Sequence, residues 1–222
     1  MHQPLFQRFH NLLKARNETD LLVFLKDHPE VLKMDDERGT SGLMTLAYHQ
    51  LPAVLETLLP TLVNVNLHEA AATGQLHRVI SLLAAQPDLL NRPAADGFAP
   101  LHLACYFGHT SVAAYLVKKG ARVRQPAANP TGLHPLHAAV ARNAVDLCQL
   151  LLNHGADVDA TQMRGVTALH SAAHRGHLPL VRLLVNHGAA INTRSEDGKS
   201  AVDYAREVQA TEVVNFLKSN GR

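Results

Sequence analysis

Apolar residues recur along the second half of the chain in short blocks with helical spacing, and the blocks come in pairs. Residues 112–117, 145–152 and 180–185 are apolar runs that each follow a shorter apolar segment, and a glycine soon follows each run. Short apolar blocks of this period are typical of helices. Alanine and leucine dominate and tryptophan is absent, which suits closely packed small helices. The pattern therefore predicts an all-α fold built from helix pairs.

Two series of glycines give the period of these pairs. They lie 33 to 35 residues apart and consist of Gly97, Gly132, Gly165 and Gly198, and of Gly120, Gly155 and Gly188. A fixed period of this length indicates a repeat protein. Each repeat carries one helix pair that cannot bury its apolar face alone, so neighbouring pairs must stack into one elongated core.

The first helix of each pair has recognisable start signals. Pro100 and Pro135 stand near the start, where the missing backbone N–H is not needed. Thr167 and Ser200 precede the corresponding start in later units and can cap the free N–H groups, whereas Ala99 cannot. The first helices are therefore predicted to begin at equivalent positions.

The ends of the first helices and the links between units carry turn residues. Gly108 and Gly176 are predicted to end the first helix in the left-handed conformation, and Asn143 takes the same place in the unit between them. The dipeptides at 96–97 and 197–198 are both Asp-Gly, which marks a tight turn. We expect these turns to form hairpin fingers between consecutive helix pairs.

Several segments resemble the ankyrin repeat. Residues 100–104, 135–139 and 167–172 are similar to its Thr-Pro-Leu-His-x-Ala signature, and residues 155–160 and 188–192 are similar to its closing Gly-Ala-Asp-Val-Asn-Ala segment. The resemblance is strongest over residues 96–195, with a C-terminal cap at 198–218. Overall the chain resembles the compact, stand-alone ankyrin proteins found in bacteria.

This resemblance implies an ankyrin-repeat solenoid of about seven stacked helix pairs with hairpin fingers, in which the terminal units act as caps. The chain is then a single domain with units at 1–34 (N-terminal cap), 35–66 (degenerate), 67–95, 96–129, 130–162, 163–195 and 196–222 (C-terminal cap).

The N-terminal half departs from the pattern at two places. Residues 67–71, followed by Gly74, read as a repeat without its finger. Residues 42–47 begin another unit, but only a short stretch separates them from the apolar run at 54–59. We therefore expect the first helix of that unit, or the turn that follows it, to be shortened.

Charge, cysteine content and hydropathy restrict the class of protein. The formal net charge is only +2, from 21 Lys and Arg against 19 Asp and Glu, without a long run of like charge. Two cysteines cannot make a disulfide framework, which suggests a reducing compartment. No run of about 20 apolar residues is present to span a bilayer, and the first residues do not resemble a secretion signal. We expect a cytoplasmic monomer without membrane insertion.

The fifteen histidines raise the question of a metal or catalytic site. His68, His102, His137 and His170 share one position of the first helix, and the ankyrin resemblance implies that this imidazole hydrogen-bonds neighbouring backbone. Successive copies should lie about 10 Å apart, so one metal ion could not reach two of them. Zinc, phosphate-loop and nucleophile motifs are absent from the sequence. We therefore predict no enzyme activity, no cofactor and no metal.

Residues that the repeats do not need for their own packing are the candidates for binding. The resemblance implies that partners contact the hairpin tips and the exposed ends of the first helices. We call this surface the groove. The candidate residues there are Phe98, Tyr106, Phe107, Leu133, Ala141, Arg142, Met163, Arg164, Val166, His174 and Arg175.

Three of these candidates occupy equivalent positions after a finger glycine. Phe98, Leu133 and Val166 are expected either to form an apolar ledge for a partner or to pack locally between fingers. Aromatic and arginine side chains elsewhere in the set are the types enriched at interface hot spots.

The function predicted on this basis is a non-catalytic protein-binding module, such as a scaffold, an adaptor or an inhibitor. The alternative is a nucleic-acid-binding module that uses Arg142, Arg164 and Arg175, although the small net charge argues against it. A metal-dependent enzyme is a third alternative, which bound zinc or turnover would reveal.

Overall fold

The computed structural model describes residues 3–221. In this part of the chain the structure has fourteen α-helices: α1 (Gln3–Ala15), α2 (Glu18–Asp27), α3 (Gly42–Tyr48), α4 (Pro52–Leu58), α5 (Leu67–Ala72), α6 (Leu76–Ala85), α7 (Pro100–Phe107), α8 (Thr110–Lys118), α9 (Pro135–Ala141), α10 (Val145–Asn153), α11 (Ala168–His174), α12 (Leu178–Asn186), α13 (Ala201–Glu207) and α14 (Thr211–Asn220). Short 3-10 helices lie at Pro29–Lys33, Leu59–Thr61, Pro87–Asn91 and Met163–Gly165, and two short strands, β1 (Thr161–Gln162) and β2 (Val166–Thr167), pair antiparallel.

The helices stack in two rows. From α5 onward, each first helix packs against the first helix of the next pair, and each second helix packs against the next second helix. The first-helix row is closely packed because one position in each pair is a fully buried alanine, namely Ala70, Ala104, Ala139, Ala172 and Ala205. The predicted all-α ankyrin-type solenoid is confirmed.

The predicted helix starts are found. Pro100 and Pro135 begin α7 and α9. The side chains of Thr167 and Ser200 accept hydrogen bonds from the third residue of α11 and α13, and each forms a reciprocal capping box. Ala99 precedes α7 and forms no side-chain cap, because its methyl group cannot accept a hydrogen bond.

The predicted left-handed turns are also found, and the same turn occurs in two units that have neither glycine nor asparagine at this position. Gly108, Asn143 and Gly176 have φ values of 81°, 55° and 63°. The same place is held by Gln50 and Gln209, with φ of 53° and 56°. The backbone turn is therefore kept in the degenerate second unit and in the C-terminal cap even though neither glutamine favours this conformation.

The prediction of a shortened first helix or turn in the second unit is wrong. Helix α3 has seven residues, as α9 has, and residues 49–51 connect it to α4 just as residues 142–144 connect α9 to α10. The short element is α4, with seven residues against nine in α10. Pro60 explains this, because it lacks the N–H that would continue the helix, and the chain passes into a 3-10 helix at Leu59–Thr61.

Hairpin fingers link most of the pairs. Strands β1 and β2 form one finger, and isolated bridges close two others, between Asp35 and Ser41 and between Arg194 and Ser200. Only residues 62–66 connect the 3-10 helix Leu59–Thr61 to α5, so no finger forms there. The finger before this gap and the finger after it consequently approach each other, and a Cβ on Gly39 would lie 2.9 Å from the Cβ of Ala95.

Candidate functional site

The four equivalent histidines hold the frame on which the candidate site is built. Each donates a hydrogen bond from Nε2 to a backbone carbonyl between its own pair and the next, which confirms the structural role expected from the resemblance. The bonds run from His68 to Arg92 (2.7 Å), from His102 to Gln125 (3.0 Å), from His137 to Val166 (3.2 Å) and from His170 to Thr193 (3.1 Å).

Five of the predicted partner-binding residues line one cleft. The cleft lies between α9, α11 and α13, has a volume of about 420 Å³, and is lined by Leu133, Ala141, Val166, His174 and Arg175 together with His137, Gln162, His170, Ser171 and Tyr204. Its lining combines apolar, aromatic and charged groups. A recess of this composition can hold an apolar side chain and hydrogen-bond the segment that carries it.

The cleft exists because small residues alternate with large ones at equivalent helix positions. Ala141 ends α9 at the place where α7 carries Tyr106, and Ser171 stands in α11 where α13 carries Tyr204. The Tyr204 ring lies edge-on to the imidazole of His174, with 5.8 Å between ring centroids. Small side chains thus form the floor, and an aromatic pair forms one wall.

Tyr106 and Phe107 lie in an aromatic cluster with Tyr48, a residue outside the predicted set. The centroid of the Tyr48 ring lies 5.9 Å from that of Tyr106 and 5.3 Å from that of Phe107. Helix α3 can reach α7 in this way because the intervening α5 has only Ala72 at the equivalent place. The cluster is therefore partly internal packing, and partly a half-buried aromatic surface next to the cleft.

The hydroxyl of Tyr48 ties this cluster to a finger. It donates a hydrogen bond of 2.8 Å to the carboxylate of Asp96. Burial raises the pKa of Tyr48, and the neighbouring Asp96 carboxylate raises it further. The phenol consequently stays protonated and keeps its role as a donor.

The three candidate arginines have different surroundings. Arg164 lies at a finger tip, and its guanidinium is 3.4 Å from the carboxylate of Asp197 in the next finger. Arg142 makes one long contact of 3.4 Å to the side-chain oxygen of Gln50. Within residues 3–221, neither Arg142 nor Arg175 forms a salt bridge. Two guanidinium groups of the groove are therefore available for an anionic partner group.

The expected apolar ledge is divided. Leu133 and Val166 line the cleft, whereas Phe98 does not; its ring packs on the core and lies 6.1 Å from the His102 ring. Met163 is 59% exposed at the finger tip. The structure thus brings Leu133 and Val166 together and leaves Phe98 and Met163 apart from them.

Sequence reasoning missed several residues that the structure places in this region, namely Tyr48, Gln162, Ser171 and Tyr204. A signal for Tyr48 was present, because it stands two residues before Gln50 just as Tyr106 stands two residues before Gly108. That alignment depends on recognising Gln50 as the equivalent of a turn glycine.

Neither cysteine is part of the groove. Cys105 and Cys148 are both fully buried, and burial raises the pKa of both thiols, that of Cys148 to about 12. Among the described residues, no group of three or more His, Cys, Asp or Glu side chains is placed to hold a metal ion. Within the same residues, every helix is too short or too polar to cross a membrane.

Comparison with protein families agrees with this architecture. Residues 67–162 match the family model described as ankyrin repeats (3 copies), and residues 151–205 match the model described as ankyrin repeats (many copies). The chain belongs to the ankyrin-repeat family. The two matched regions of this ankyrin protein include the cleft and the finger formed by β1 and β2.

Similar curated proteins share only part of their length with this ankyrin chain. Neurogenic locus notch homolog protein 4 of Homo sapiens is 44% identical over 72 residues, which is 32% of this chain and 4% of that protein. The RelA-associated inhibitor of Mus musculus is 33% identical over 99 residues, 45% of this chain and 12% of that protein. Target of rapamycin complex 2 subunit AVO2 of Saccharomyces cerevisiae is 28% identical over 159 residues, 65% of this chain and 37% of that protein.

The chain therefore spans well under half the length of each of these three relatives. Ankyrin repeats are a protein-interaction fold that is generally non-enzymatic. By name, one of these relatives is an inhibitor and another is a subunit of a complex. The fold and these relatives together point to protein–protein interaction.

Proposed function

We propose that this chain is a non-catalytic binding module whose partner protein occupies the groove at the cleft between α9, α11 and α13. The observation that carries the proposal is the cleft itself, because it gathers Leu133, Ala141, Val166, His174 and Arg175 in one recess. Such a recess with apolar, aromatic and guanidinium groups has the composition of an interface hot spot.

The frame of the repeat does not account for these side chains. Stacking depends on the buried alanines and on the bonds that His102 and His137, both almost fully buried, donate to backbone carbonyls. His174 and Arg175, in contrast, are exposed. A groove carried on packed helices is largely formed before the partner arrives, so little conformational entropy is lost on binding.

Nucleic acid is a poorer fit as the partner. Arg164 is already paired with Asp197, and Glu207 at the end of α13 is paired with Lys199, so carboxylates lie along the same surface. With a formal net charge of +2 for the whole chain, the electrostatic attraction for a phosphate backbone is small. The arrangement favours a protein partner.

A capture experiment with matched variants tests the proposal. The groove variant carries Ala141→Lys and Arg175→Glu, which fill the cleft and reverse its charge without touching a fully buried side chain. The control variant carries Ala190→Lys and Arg122→Glu, the same changes at exposed positions that follow second helices. Tagged proteins are incubated with lysate of the source cell, and retained proteins are quantified by mass spectrometry.

We expect the control variant to retain the same proteins as the wild type and the groove variant to lose at least one of them. Both variants should keep the wild-type circular dichroism spectrum and melting temperature, because every changed side chain is at least partly exposed. Identical retention by the groove variant and the wild type would refute the proposed site.

A further inference from the structure

Arg175 gives the cleft an unbalanced positive charge. Of the ten described residues that line the cleft between α9, α11 and α13, Arg175 alone carries a permanent charge, and none is an aspartate or a glutamate. Its side chain is exposed and forms no salt bridge within residues 3–221. Asp197, which accepts a hydrogen bond of 3.4 Å from the Tyr204 hydroxyl, is already paired with Arg164. A negatively charged group of a bound molecule would therefore complement the cleft.

The apolar part of the cleft has room for an aromatic ring. Ala141 and Ser171 stand at positions where α7 and α13 carry tyrosines, so each leaves space that a ring fills elsewhere in the repeat. Leu133 and Val166 line the same recess, and about 420 Å³ remains open. A phenylalanine side chain entering from a partner would take this space and bury apolar surface against the two aliphatic residues.

The charged and apolar parts of the cleft belong to one small recess. Its volume of about 420 Å³ is near the lower end of the range for sites that hold small ligands. An occupant must therefore bring its negative charge and its apolar group close together. In an extended internal segment, two side chains on one face lie about 7 Å apart. In the last residue of a protein, the side chain and the free carboxylate are attached to the same carbon atom, so both can enter one recess.

The polar lining of the cleft also suits a carboxylate. The two oxygens of a carboxylate accept hydrogen bonds, and an arginine can donate to both at once through its planar guanidinium. Gln162 and Ser171 line the same cleft and add an amide donor and a hydroxyl donor. A free amino acid fits less well than a protein C-terminus, because its ammonium group would find no carboxylate in the lining.

We infer that the cleft binds the C-terminus of the partner protein, with an aromatic last side chain against Leu133 and Val166 and the terminal carboxylate on Arg175. This inference rests on the proposed function, since it names the part of the partner that the same cleft takes. Specificity then depends on the end of the partner chain and not on its internal sequence.

Four peptides, each labelled with fluorescein at the N-terminus, test this inference. The first, Gly-Ser-Gly-Ser-Phe, has a free C-terminal carboxylate, and the second is the same sequence with a C-terminal amide. The third has a free carboxylate and alanine in place of phenylalanine. The fourth, Gly-Ser-Glu-Ser-Phe, is amidated, so its negative charge lies on an internal side chain. Binding to the full chain is measured by fluorescence anisotropy at low salt, up to about 1 mM protein.

We expect the first peptide to bind roughly tenfold more tightly than either the second or the third, because a hydrogen-bonded charge and a buried aromatic ring each contribute about that factor. Arg175→Gln should lower the affinity for the first peptide to that for the second and leave the second unchanged, which a general loss of structure would not produce. Ser171→Tyr, which supplies the residue that α13 carries at the equivalent place, should fill the cleft and abolish binding of both. Arg122→Gln, at an exposed position after α8, is the control and should change neither affinity.

Three outcomes would overturn the inference. They are equal binding of the first and second peptides, binding of the fourth peptide as tight as that of the first, and absence of binding by the first. Each of them leaves the proposed function standing if the groove variant still loses proteins in the capture experiment. Failure of that experiment, in contrast, removes the proposed function whatever the peptides do.

Discussion

Acid should destabilise this protein through two buried histidines, His102 and His137. Their side chains are 2% and 3% exposed, and each donates Nε2–H to a backbone carbonyl. Nδ1 of each ring has no hydrogen-bond partner among the described residues. Burial disfavours the charged imidazolium and lowers the pKa of both residues to about 4.

These pKa values determine whether acid stabilises or destabilises the protein, and over which pH range. In the unfolded chain the pKa of histidine is about 6.5, so the unfolded state binds more protons than the folded state between pH 6.5 and pH 4. The free energy of unfolding therefore falls as the pH drops through this window, and the effect of these two groups levels off about one pH unit below it. Above pH 7 both states are neutral and the effect vanishes.

The magnitude is large compared with the usual stability of a domain. The gap between the folded and unfolded pKa values corresponds to about 3 kcal/mol for each histidine. At pH 5 about 2 kcal/mol of this has been lost per residue, or about 4 kcal/mol for the two together. Typical domains have free energies of unfolding of about 5 to 15 kcal/mol.

Urea unfolding followed by circular dichroism at pH 7 and pH 5 measures the effect. The variant with His102→Gln and His137→Gln retains an amide donor for each carbonyl and does not titrate. Its free energy of unfolding should fall between pH 7 and pH 5 by about 4 kcal/mol less than that of the wild type. His77→Gln, which changes an exposed histidine, is the control and should follow the wild type. Parallel pH dependence of the double variant and the wild type would refute this reasoning.

Four further substitutions test individual contacts, each by the shift in the urea unfolding midpoint. Ala99→Thr should stabilise the protein by about 1 kcal/mol by supplying the missing cap of α7, and Thr167→Ala should destabilise it by a similar amount. Tyr48→Phe should lower the free energy of unfolding by about 1.5 kcal/mol, because it removes the hydrogen bond to Asp96. Gly74→Ala should lower it by more than about 1 kcal/mol, since φ is 74° and the new Cβ would lie 2.6 Å from an imidazole nitrogen of the next helix pair. An unchanged midpoint in any of them would contradict the corresponding contact.

The regular half of the fold could be predicted because its signals are local. Proline at the first helical position, threonine or serine at the cap and glycine in the left-handed turn each act within a few residues. The second unit and the C-terminal cap were harder to predict because Gln50 and Gln209 adopt a positive φ that glutamine does not favour. Their conformation is imposed by stacking against neighbours, which a local pattern does not express.

The candidate site was predictable only in outline. Equivalent positions in the repeat identified Leu133, Val166 and Arg175, and they lie in one cleft. Phe98 packs on the core, and the pairing of Arg164 with Asp197 depends on a contact between consecutive fingers. The size of the residues at equivalent positions in adjacent units determines whether a cleft is open or filled. These residues are more than 30 positions apart in the sequence, so a local pattern does not reveal the cleft.

The missing finger before α5 changes how the protein is expected to unfold. In an ordinary solenoid each unit touches only its neighbours, so units can detach one after another from an end. Here Tyr48 in α3 contacts Tyr106 and Asp96, which lie beyond α5. The loss of the N-terminal units would therefore expose an aromatic surface in the middle of the chain. The least regular part of the sequence should melt together with the part that carries the groove, in one cooperative step.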